Sequence, residues 1–133
     1  MKRAVLSVER PVISVSTLTG DKVRNDRNED LGKIHDLMID VEHGRIAYAV
    51  LSFGGIMGMG DKLFAIPWSS LRVDRENECM VLDVPKERLE AAPGFSKDDW
   101  PDMADFRWGG SIYEYYEQEP YWTVGEGPRR RAS

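Results

Sequence analysis

The stretch Gly54-Gly55-Ile56-Met57-Gly58-Met59-Gly60 has the composition of a loop that could hold phosphate. Such a loop needs G-x-x-x-x-G-K-[ST], in which bare backbone N–H groups wrap the phosphates, lysine neutralises them and a hydroxyl holds magnesium. Gly55 and Gly60 have the spacing, but Asp61 stands where lysine is required. Leu63 stands where a hydroxyl would rescue a one-residue shift. Asp26-x-Asn28-x-Asp30 opens like a calcium loop, then fails: Leu31 replaces the turn glycine and Leu37 the bidentate glutamate. His35 and His43 are eight residues apart with no close ligand spacing, so they read as surface polar residues. Cys79 starts an apolar run with no histidine beside it and reads as a structural thiol. Ser69-Ser70 lacks the G-x-S-x-G elbow of a nucleophilic serine. No catalytic residue, cofactor-binding residue or metal ligand is assigned.

Two apolar features remain, and they predict contact with another molecule. Ile56, Met57 and Met59 form a trio on the glycine loop, and methionine adapts well to varied surfaces. Nine of the 13 aromatic residues follow Pro93, with Asp98, Asp99, Asp102 and Asp105 among the first of them. Trp100, Trp108, Tyr115 and Tyr116 are the interaction candidates of that segment. So many rings must pack on the chain's own body, on a second copy or on a partner. A homodimer with a further protein partner is the expected assembly.

The 133 residues suit one domain with an appendage, and the 41% hydrophobic and 31% charged content is ordinary for a globular chain. The net charge of −5 predicts no nucleic-acid partner, since phosphate backbones are met by basic footprints. The lone Cys79 allows no internal disulfide. Ala4–Val8 is too short for a secretory leader, and no run reaches the roughly 20 residues of a spanning helix. Cytoplasmic location without membrane insertion is the resulting expectation.

The elements that position these residues are short strands. Residues 1–16 read as an arm with one edge strand at Val12–Val15. Lys22-Val23-Arg24 is a strand, and Leu31 to Val41 another, with Leu37, Ile39 and Val41 on one face. Gly44 turns the chain into Arg45–Phe53, which is apolar on both faces and should be central. Ala47 and Ala49 leave room for close packing there. Leu63–Ile66, Leu71–Val73 and Met80–Val84 complete about six strands. Pro85 opens a short helix to Ala92, and the spacing of Ile112, Tyr115 and Tyr116 predicts another at Ser111–Gln118. This is an all-β, small antiparallel barrel at residues 17–94, then an aromatic, acidic extension at 95–124 with short helices, then a disordered tail at 125–133.

The central segment resembles the PRC-barrel family, known from the cytoplasmic domain of the photosynthetic reaction-centre H subunit and the C-terminal domain of a ribosome maturation factor. Leu18-Thr19-Gly20-Asp21-Lys22-Val23, Leu31-Gly32-Lys33-Ile34, Asp36–Asp40, Gly44-Arg45-Ile46, Val50–Gly55 and Ala65–Leu71 carry the likeness. It implies a non-enzymatic interaction or assembly module, since the family has no shared catalytic residues. The alternatives are a small-molecule or metal-binding accessory protein, with a pocket at Tyr48, Phe53 or Trp68, and a ribosome-associated or photosynthetic electron-transfer accessory by family analogy.

Overall fold

The computed structural model describes residues 12–54 and 61–123. Ser14 caps a single helical turn, α1 (Val15–Leu18), its Oγ accepting the Thr17 N–H at 3.2 Å. That local cap replaces the expected strand at Val12–Val15, whose valines are largely exposed and have no face to bury. The strands are β1 (Lys22–Arg24), β2 (Asp30–Asp40), β3 (Arg45–Gly54), β4 (Asp61–Pro67), β5 (Leu71–Asp74) and β6 (Cys79–Leu82). A 3-10 turn, Trp68–Ser70, separates β4 from β5, and two helices follow, α2 (Lys86–Glu90) and α3 (Phe106–Tyr115).

These strands form one sheet in the order β4-β3-β2-β1-β6-β5, a half-barrel. The expected antiparallel arrangement needs one correction: β1 and β6 run parallel, with Val23 opposite Met80. The β5–β6 hairpin is itself antiparallel, and it docks by β6, leaving β5 outermost. β3 lies between β4 and β2, and its residues 47–52 are all buried. At roughly 25 cal/mol per Å² of apolar surface, that double-sided burial makes β3 the strand the core depends on most.

β2 does not keep the simple alternation expected of it. The apolar residues it buries are Leu31, Ile34 and Leu37, three apart rather than two. Extra residues cause this. Against β1, Arg24 faces Asp30 and Lys22 faces Lys33, so β2 carries one residue more than its partner. Against β3, Ile34 faces Leu51 and Asp36 faces Val50, so His35 is an extra residue on β2. Further along, Met38 faces Tyr48 and Ile39 faces Ile46, so Ala47 is an extra residue on β3. Beyond it Ile39 is 48% exposed, and Val41, in the turn after β2, is 86% exposed, so neither joins Leu37 in the core.

Asn25 is the buried polar residue that organises the β1–β2 turn. Its Oδ1 accepts the N–H groups of Arg27 and Glu29, each at 3.0 Å. Its Nδ2 donates to Glu29 Oε1 at 2.8 Å and to the Val84 carbonyl at 3.0 Å. Asn25→Ala is expected to lower stability by about 2 kcal/mol in urea denaturation, because the Val84 carbonyl and two N–H groups lose their partner. Asn25→Asp should lose at least as much: it keeps the acceptor but sets a buried carboxylate against Glu29 and the Val84 carbonyl. The calcium-like residues serve the same turn: Asp30 accepts the Gly32 N–H at 2.9 Å, and Asp26 pairs with Arg72 at 3.2 Å.

Arg24 of β1 reaches over β6 to Asp74 of β5 at 2.6 Å. Asp74 is held below the usual carboxylate range, chiefly by the Asn77 side-chain amide and also by Arg24, against the upward pull of burial. At Asp40 burial pulls upward, and hydrogen bonds from Arg45 and His43 outweigh it. A carboxylate with a depressed folded pKa adds stability above its unfolded value and loses it as pH falls through the folded one. The urea midpoint is therefore expected to drop most steeply below about pH 4. Asp74→Asn should make that drop shallower; an unchanged acid limb would show that the pair contributes nothing.

Candidate functional site

Tyr48, on β3, is the hub of the aromatic packing. Its ring lies 5.3 Å from Trp108, 5.5 Å from Tyr113 and 5.8 Å from Tyr121. α3 begins at the Asp105 cap, earlier than the sequence pattern predicts, and buries Gly109, Ile112, Tyr113 and then Tyr116. Tyr113, rather than Tyr115, is thus the inward residue, and its hydroxyl donates to the Ala47 carbonyl. Burial pushes the Tyr48, Tyr113 and Tyr116 phenols upward. Tyr115 clasps α2: its hydroxyl donates to the Arg88 carbonyl at 2.6 Å, and the Arg88 guanidinium lies 4.2 Å from its ring centre. The buried rings therefore pack within one chain, while Phe106 stays 55% exposed.

The interaction candidates separate accordingly. Tyr116 is closed into the core, at 7% exposure. Trp100 and Trp108 are half-buried and line a groove of about 260 Å³ with Phe95, Pro101 and Asp99. The Trp100 ring lies 5.1 Å from Phe95, and its Nε1 donates to the Lys97 carbonyl at 3.0 Å. Phe95 is fixed in turn by a two-way backbone bridge to Leu63 of β4. His35, the bulge residue, faces Trp100 at 6.4 Å, whereas His43 sits in the β2–β3 turn against Asp40. Ile56, Met57 and Met59 lie outside the described residues.

A second concavity, of about 650 Å³, is lined by Lys22, Lys33, Lys62 and Lys86, with Phe53 and Phe64 among its apolar residues. It takes in Phe53 but neither Tyr48 nor Trp68, so those three aromatics do not form the pocket the sequence led us to expect. Sequence reasoning missed the lysines because they are scattered along the chain. Each follows a glycine or proline by one or two residues, and only the folded sheet brings those positions together. Among the described residues no group of three His, Cys, Asp or Glu side chains could hold a metal ion. Cys79 is buried.

A family model for the PRC-barrel domain matches residues 11–89, more than half of the chain. The chain belongs to the PRC-barrel family. No curated protein matches the sequence. Among the solved structures it resembles is a putative 16S ribosomal RNA processing protein, RimM, from Pseudomonas aeruginosa, at 21% identity and a TM-score of 0.40. The match covers 62% of this chain and 50% of that one. The expectation of no nucleic-acid partner is withdrawn, because its physical premise fails: a net charge of −5 does not describe the local surface, where four lysines share one cleft. Among the described residues no helix is long and apolar enough to cross a membrane.

Proposed function

We propose that this PRC-barrel protein is a non-enzymatic assembly module of the cytoplasm. In this reading residues 17–94 are the scaffold and residues 95–124 present the docking face. The observation that supports it is the Trp100–Trp108 groove, with aromatic walls, Asp99 in its lining and exposed Asp98 and Asp102 nearby. Such a face suits an apolar segment flanked by lysine or arginine on a partner protein. Since the family includes a ribosome maturation factor domain, ribosomal particles are the first fraction to test. Cross-linking after co-sedimentation is expected to join a basic protein segment to residues 95–108, and Trp100→Ala should abolish the cross-link while the protein stays folded, with a melting temperature lowered by no more than a few degrees. Cross-links confined to other surfaces, or retained in Trp100→Ala, would overturn the reading.

A further inference from the structure

We propose that the lysine-lined cleft binds a compact polyphosphate, either a free oligophosphate or the phosphate chain of a nucleotide. Four of the chain's six lysines line it, against the carboxylates of Asp30 and Glu90, in a protein whose net charge is −5. Like charges gather there from β1, β2, β4 and α2, which costs repulsion unless an anion offsets it. The ion pairs of Arg24, His43, Arg45 and Arg72 take in none of these lysines, and of the four Lys86 also feels the nearby Glu29 carboxylate. Two of the four rest against rings, Lys62 at 5.3 Å from the Phe64 centre and Lys86 at 5.8 Å from that of Phe53. The volume is that of a small-molecule site.

The kind of cation narrows the anion. The chain has twelve arginines, and none lines the cleft. Arginine forks clasp carboxylate and phosphate alike in a fixed plane, whereas lysine acts as a point charge, which suits a compact, multiply charged anion such as a phosphate chain. Gly20, Gly32 and Gly54 also line the cleft and put no side chain into it; the Gly20 and Gly32 N–H groups are bonded to the Ile34 carbonyl and the Asp30 carboxylate, so the lysines carry the recognition. Asp30 and Glu90 disfavour a long polyanion running through, and so favour a compact ligand.

Calorimetric titration of the full chain with inorganic tripolyphosphate, ATP and a twelve-nucleotide single-stranded RNA tests this. Tripolyphosphate is expected to bind one to one and to weaken as salt rises. Lys62→Gln with Lys86→Gln should weaken it at least tenfold at an unchanged melting temperature, while Lys97→Gln, outside the cleft, should leave it unaltered. ATP binding tighter than tripolyphosphate supports the proposal with a nucleotide as ligand; equal binding supports it with the phosphate chain alone. No binding, binding indifferent to the double variant, or RNA bound tenfold tighter than both small ligands overturns it.

Discussion

Gly32→Ala is expected to cost about 4 kcal/mol or more, enough to unfold a protein of ordinary stability in mild urea. Gly32 has φ +102°, and a Cβ there would fall on the Ser52 carbonyl oxygen and lie 3.0 Å from its carbon. Both are backbone atoms of the adjoining strand, so no rotamer change relieves the clash. The left-handed conformation alone costs an L residue about 1–3 kcal/mol, and parting β2 from β3 adds to it. Gly44→Ala is the control: its φ is +65°, nothing lies within 4 Å of a Cβ, and about 1 kcal/mol is expected. Urea denaturation of both variants decides the matter. Equal losses would show that strand contact at Gly32 contributes nothing.

Gly109→Ala is expected to destabilise by about 2–3 kcal/mol despite alanine's better helix propensity, because overpacking outweighs it. The new methyl would press into the Tyr48 hydroxyl and lie 3.1 Å from the Trp122 ring. That hydroxyl is buried and has no hydrogen-bond partner among the described residues. Tyr48→Phe alone should therefore be neutral or slightly stabilising. In the double variant the methyl occupies the space the hydroxyl vacates, and most of the loss should return. A coupling near zero in the double-mutant cycle would show that the two groups do not meet.

Much of the scaffold was legible because strand alternation and turn glycines are local signals. Lys22–Arg24 and Arg45–Phe53 read correctly, and Ala47 does receive a closely packed neighbour in Tyr113. Ile39 and Val41 misled because alternation does not show where a hairpin runs past the core: Ile39 ends β2 half-exposed and Val41 is already in the turn. The parallel β1–β6 pair was hidden because it joins residues more than fifty positions apart. On α3, Tyr113 and Tyr115 are the same residue type on the same short helix, so composition alone did not decide which turns inward. The lysine cleft left no spacing signal, since its residues are neighbours only in the folded sheet.

The paired bulges of β2 and β3 constrain how this hairpin can change length. His35 adds a residue to one strand and Ala47 adds one to its partner, so the pairing beyond them returns to the alignment it had before. Removing either residue alone would close its bulge and leave every paired neighbour of the hairpin opposed as before. Removing both would leave the outer partners, Lys33 with Ser52 and Asp40 with Arg45, still opposed. A single deletion should therefore be tolerated at these two positions and rejected at the paired ones, where it would slip the register and turn buried side chains outward.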